Sequence, residues 1–156
     1  MDNTVLRDQL LALLEGGNAH IKFERAIADF PMDHINSRVP EIPYSVWELI
    51  EHMRIAQYDI LDFIKNADYK ERKWPDDYWP PKDKKPNEES WNQSIKRFND
   101  DLAALKQCIK DPQTDFTGPI PHAPDYNILR EIFLVADHNS YHTGQIVVIR
   151  RALKIY

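Results

Sequence analysis

Apolar side chains recur at three- and four-residue intervals along four stretches of the chain, the spacing of amphipathic helices. The first stripe starts after Thr4, a helix-capping residue type, and runs through Leu6, Leu10, Leu13, Gly17, Phe23 and Ile27 to about Asp29. Pro31 then stops it. The second opens at Ser45 with Glu48 three residues on, a capping-box pattern. It continues through Leu49, His52, Ala56, Ile60 and Phe63 to about Asn66. The third opens between Asn87 and Ser90 and carries Ile95, Phe98, Leu102, Leu105 and Ile109 before Pro112. The fourth is expected from about Asp125, through Ile128, Ile132, Val135, Ile146, Ile149 and Leu153. Sustained two-residue alternation bounded by hairpin turns is missing, so essentially no sheet is expected.

Four helices of roughly 22 to 30 residues, about 33 to 45 Å long, predict an all-α fold, a four-helix bundle with long connections. The connector from Asn66 to Pro86 is long enough to run along the bundle rather than merely reverse the chain. Within it, Trp74-Pro75-Asp76-Asp77-Tyr78-Trp79-Pro80-Pro81 concentrates aromatics and prolines. That content suits either a segment pasted across a helix pair or a lid or wall over a pocket.

Composition narrows the picture further. At 156 residues the chain suits a single domain, 1–156, large enough to bury a core without staples. Hydrophobic residues at 42% and charged ones at 29% exclude a disordered chain. A lone cysteine, Cys108, excludes an internal disulfide and an all-cysteine metal cage. The net charge of −5 argues against nucleic acid as a partner. No apolar run is long enough for a membrane span. Met1-Asp2-Asn3-Thr4 lacks the basic start of an export signal, so a cytoplasmic location is expected.

The chemistry concentrates in histidine. His138 and His142 are four apart and leave one face of the fourth helix, among stripe positions that face inward. His52 sits likewise on the inner stripe of the second helix. Buried imidazoles need partners, because an unpaired buried polar group costs about 1 to 3 kcal/mol. Hydrogen bonds to carboxylates or carbonyls would satisfy them separately. One metal ion would satisfy all three together and leave an open coordination position.

The stretch Ser45-x-Trp47-Glu48-Leu49-Ile50-Glu51-His52-Met53 resembles the second-helix signature of the DinB/YfiT-like superfamily, which is unrelated to the DNA polymerase of similar name. Asp137-His138-Asn139-Ser140-Tyr141-His142-Thr143-Gly144-Gln145 resembles its fourth-helix signature, H-x-x-x-H-x-G-Q. The likeness extends over nearly the whole chain, including Gly16 to His20 and Tyr78-Trp79-Pro80. It implies a bundle with a non-sequential helix arrangement, and a divalent metal on His52, His138 and His142. It also implies a homodimer acting on a small-molecule substrate. Family members with known activity include metal-dependent thiol S-transferases and a thiol-dependent isomerase. Three imidazoles suit Zn, Ni, Cu and Fe alike, so the expected cofactor is a divalent transition metal (Zn, Ni, Fe or Mn), with a low-molecular-weight thiol as co-substrate.

Four further residues are candidates for the pocket or for support of the ligands. His20 either lines the pocket or packs there through a hydrogen bond, with Glu24 as its local partner. Glu48 either orients an imidazole or caps its helix, and Gln145 can face the pocket as a donor. Tyr141 is expected against a neighbouring helix, and Asp137 off the metal. Cys108 reads as a small core or boundary residue, and His34 and His122 as connector residues without a role. Arg150, Arg151 and Lys154 suit the negative end of the last helix dipole. Two function classes follow: a metal-dependent thiol S-transferase or hydrolase, and a non-catalytic, stress-related bundle with a structural or sensing metal. A metal-free bundle with a hydrogen-bonded histidine cluster is a third.

Overall fold

The computed structural model describes residues 4–156; Met1-Asp2-Asn3, part of the expected domain and of the reading on export, lie outside the described residues. Its elements run α1 (Thr4–Glu15), α2 (Phe23–Ile27), α3 (Val46–Lys65), α4 (Glu88–Lys110), β1 (Pro119–Ile120), β2 (Ala123–Asn127) and α5 (Ile128–Ala152). Single 3₁₀ turns at Met32–His34 and Asp76–Tyr78 interrupt the connectors. The fold is an all-α bundle, as the periodicity predicts.

α3 is the central element. It packs against both α4 and α5, and Val46, Trp47, Leu49, Ile50, Met53, Ile55, Ala56, Ile60 and Leu61 are all buried. Its start is fixed by the capping box: Ser45 Oγ accepts from Glu48 N at 3.3 Å, and Glu48 Oε2 accepts from Ser45 N at 2.7 Å. α4 presents Trp91, Ser94, Phe98, Leu102, Leu105 and Ile109 to the core, a three-four spacing along one face. Each large apolar side chain so buried contributes roughly 1.5 to 3 kcal/mol. Leu10 and Leu14 of α1, Phe23 and Ala26 of α2, and Ile132, Val135, Ile146 and Ile149 of α5 complete the same core.

Two expectations need correction. The single first helix to Asp29 is in fact two, because Gly16 and Gly17 adopt φ of +67° and +80°. Glycine is the residue that enters this left-handed region without steric cost, and it ends helices there. Within α1 the buried positions are Leu10 and Leu14, while Leu13, expected on the inner stripe, is exposed. The Arg7 guanidinium holds α1 to the end of α4 through the carbonyls of Asp111 (2.6 Å) and Thr114 (3.1 Å).

The second correction is the short antiparallel hairpin β1–β2, with Pro119 opposite Asn127 and Ile120 opposite Ala123. Two paired residues on one strand are too few to produce an alternation signal. An Asx turn sets it up: Asp115 Oδ1 accepts from the backbone of Thr117 and Gly118, both at 3.0 Å. The hairpin carries the chain to Asn127, whose side chain accepts from Arg130 N, so α5 starts at Ile128 rather than near Asp125.

Arg150 lies in the last turn of α5, where the helix dipole favours a cation, and it has a further structural role. It is buried and donates to Ala26 O (3.0 Å), Ala28 O (2.7 Å) and Ile155 O (3.2 Å), tying α2 and the C-terminal residues to α5.

Candidate metal centre

His52 on α3 faces His138 and His142 on α5 across the helix interface. The Nε2 atoms of His52 and His142 lie 3.2 Å apart, and those of His52 and His138 lie 3.1 Å apart. One nitrogen from each ring falls within 4.8 Å of the other two. An ion bound at 2.0 to 2.1 Å would hold imidazole nitrogens about 3.3 Å apart in a tetrahedral site and about 2.9 Å apart in an octahedral one. The two separations from His52 Nε2 fall between those values. These three histidines could hold a metal ion.

The neighbours of each ring make a stronger argument than spacing. His52 Nδ1 lies 2.9 Å from the carbonyl oxygen of Tyr78, which can only accept. His142 Nδ1 lies 2.6 Å from Gln145 Oε1, also an acceptor. Both rings therefore carry their proton on Nδ1 and turn a bare Nε2 toward the cluster. The 3.2 Å contact between those two nitrogens joins lone pairs and is not a hydrogen bond. A cation between them would remove the conflict.

A proton is a poor candidate for that cation. Burial holds His52 and His142 below the usual imidazole range, against the pull of the Tyr78 carbonyl and of Gln145. His138 is pushed down to about 3, by burial first and then by the charge that His142 and His52 would carry. Neutral imidazoles are the form that ligates metal.

The aromatic connector forms one wall of this site. The Trp79 ring lies flat on His52, with centroids 4.2 Å apart and planes 4° from parallel, and it also stacks on Tyr44 at 5.2 Å. Its neighbour Tyr78 donates its hydroxyl to Asp59 Oδ2 at 2.6 Å. Asp59, seven residues beyond His52 on α3, also accepts from the Tyr69 hydroxyl at 3.1 Å and pairs with Arg72 Nε at 3.3 Å. Burial and the Asp59 carboxylate together push the Tyr69 hydroxyl up to about 12 and Tyr78 higher still. Sequence reasoning missed Asp59 as a partner of this loop. The available signal was its place two turns after His52 on the same helix face, opposite a tyrosine-rich connector.

The other candidates are placed as follows. Gln145 supports His142 directly, as an acceptor rather than the expected donor. Glu48 caps α3 and pairs with Arg38 Nη2 at 2.7 Å. Its carboxylate is thus committed away from the imidazoles. His20 lies in the loop between α1 and α2 instead of on a helix, and its Nε2 meets Ser140 Oγ at 2.9 Å. Ser140 is about 200° round α5 from either histidine ligand. His20 and Glu24 line a separate cavity of about 30 Å³ with Leu14, Gly16, Asn139 and Ser140, room for about two waters.

Tyr141 does not pack on a neighbouring helix; it is exposed and meets His142 edge-on at 5.0 Å. Asp137 is exposed, and Cys108 is half-buried near Thr114. His122 Nε2 lies 2.8 Å from Phe63 O, holding the hairpin to the end of α3.

A helical bundle whose central helix and last helix bring three histidines together defines a class of metal-binding bundle proteins. The family profile of the DinB superfamily matches residues 19–146, which include all three histidines and the connector between them. The chain belongs to the DinB superfamily, and its histidine cluster fits a metal-binding member. No curated protein and no solved structure matches it. Among the described residues, no helix is long and apolar enough to cross a membrane.

Proposed function

We propose that this DinB-superfamily protein is a cytoplasmic enzyme holding a divalent transition ion on His52, His138 and His142, and that it activates a small thiol for transfer to an electrophile. Water is the alternative nucleophile. The observation that carries the metal is the pair of bare Nε2 atoms that Tyr78 and Gln145 hold against each other. When bound, such an ion supplies Lewis acidity that lowers the pKa of a thiol or water beside it. Among the described residues the cluster contains three protein donors, which suits an ion with a position left for that nucleophile.

The protein's own groups do the rest. Tyr78 O and Gln145 fix two ring orientations, and Trp79 shields one face of His52 from water. The same Trp79 ring lines an open groove of about 540 Å³ with Arg38, Pro43, Tyr44, Glu48 and Lys82. That volume suits a small organic substrate. Glu48 already neutralises Arg38, so Lys82 is the cation that would favour an anionic group on the substrate. The preference for a thiol over water rests on the family likeness.

The test is a metal-reconstituted preparation offered several low-molecular-weight thiols with a chromogenic electrophile, and ester and amide substrates in parallel. Metal-dependent thiol consumption that disappears in His142→Ala supports the proposal. Hydrolysis alone moves it to water. Stoichiometric metal with neither reaction moves it to a structural or sensing ion.

We also infer a homodimer. Phe133, Leu134, Tyr141 and Val148 form an exposed stripe on α5, and a Cβ added at Gly144 in its middle would meet nothing within 4 Å. A glycine inside a helix costs about 1 kcal/mol relative to alanine. Close approach of a second α5 would account for it. This surface borders the histidine site through Tyr141, which meets His142 edge-on.

A further inference from the structure

We propose that Asp59 is a positioning residue for the metal centre, acting through Tyr78 to keep His52 in the one tautomer that can bind an ion. The inference rests on the three-histidine reading of the site. His52 turns its lone pair inward only while Nδ1 keeps its proton, and the acceptor for that proton is Tyr78 O. That carbonyl belongs to a connector rather than to a helix, so its position is only as well defined as the anchoring of the loop.

The anchor is the other end of the same residue. Tyr78 donates its hydroxyl to Asp59, so α3 holds Tyr78 at both ends, through His52 and through a carboxylate about 10.5 Å further along the helix. Every partner of Asp59 in this network comes from the connector: Tyr69, Arg72 and Tyr78. Asp59 is 7% exposed, and a buried carboxylate is strongly disfavoured unless its partners are in place. Its charge therefore commits residues 69–79 to one arrangement. In that arrangement Tyr78 O meets His52 Nδ1 and Trp79 covers the ring face. Asp59 reaches His52 only through that loop, so the tautomer is the readout that separates this role from a general contribution to stability.

The test uses the full chain with ¹⁵N-labelled histidine. Two-bond ¹H–¹⁵N correlation spectra of the metal-stripped protein report the His52 tautomer, and competition with a chromophoric chelator reports Zn²⁺ affinity. The wild type should show His52 protonated on Nδ1. Asp59→Ala and Tyr78→Phe should show a tautomer mixture and a 10- to 100-fold loss of Zn²⁺ affinity, the usual effect of removing support from a ligand.

Asp59→Asn keeps an acceptor for the hydroxyls and should fall closer to wild type. Leu105→Ala, a core truncation on α4 away from the connector, should lower thermal stability and leave tautomer and affinity unchanged. Should Asp59→Ala fail to fold, Tyr78→Phe, which removes one hydroxyl and keeps the carbonyl, decides the matter. Wild-type tautomer and affinity in Tyr78→Phe and in folded Asp59→Ala would overturn the proposal. Failure of the wild type to bind Zn²⁺ would overturn the three-histidine reading, while the tautomer spectrum would still decide the role of Asp59.

Discussion

At His52 and His142 the position of one proton on each ring decides what the cluster can do, and neighbours outside the cluster set that position. The ligand trio was legible because it follows helix geometry: His138 and His142 share a face, and His52 falls on an inner stripe. Glu51, adjacent to His52, shows a different use of buried charge. Its carboxylate receives Arg54 through Nε at 2.9 Å and Nη2 at 3.0 Å. Burial raises its pKa, but Arg54, Ser94 and Lys84 outweigh burial and hold it below the usual carboxylate range.

A carboxylate with a depressed folded-state pKa stabilises the protein above its unfolded value of about 4.3 and loses that contribution as pH falls through the folded value. Glu51→Gln should therefore be about 2 kcal/mol less stable at pH 7, and the difference from wild type should shrink as the pH falls below the unfolded value and through the lower folded one. Urea unfolding across that range measures it; a constant difference would show that the charge is not what matters. The Tyr78 carbonyl and its link to Asp59 were not legible in the same way. A backbone oxygen has no residue-type signature, and a contact across 26 residues of helix and connector has no periodicity.

Among the elements, α3, α4 and most of α5 were readable because each keeps one apolar face, and in α3 and α4 a recognisable cap as well. The first helix misled because Leu6, Leu10, Phe23 and Ile27 maintain an approximate repeat across Gly16-Gly17, where the backbone in fact turns left-handed. Periodicity reports which side chains are buried and not whether the helix between them is continuous. The hairpin was hidden by its brevity, since two residues of β1 carry no alternation. Gly17→Ala tests the break. At φ +80° an added Cβ is strained and would sit 2.9 Å from Lys22 Cγ, a flexible side chain able to move aside. The backbone term alone should lower stability by about 1 to 2 kcal/mol. A thermal or urea midpoint equal to wild type would mean that the segment tolerates another path.

For the whole molecule, the central helix brings one ligand, the last helix brings two, and the connector between α3 and α4 covers the first. The outer face of α5 is the proposed contact between copies. Light scattering at micromolar concentration should give twice the 18.4 kDa of one chain. Combined Phe133→Lys and Val148→Lys should give one chain's mass with helical content retained. A wild-type particle of a single chain would count against the dimer.

The central claim is that His52, His138 and His142 hold one divalent ion per chain, and Co²⁺ titration of the metal-stripped protein followed by visible absorption tests it most directly. The account predicts saturation at one equivalent with ligand-field bands of an imidazole-rich site, and loss of those bands in His142→Ala. A wild type that develops no bands, or a His142→Ala variant that titrates with the same stoichiometry and spectrum, would contradict it.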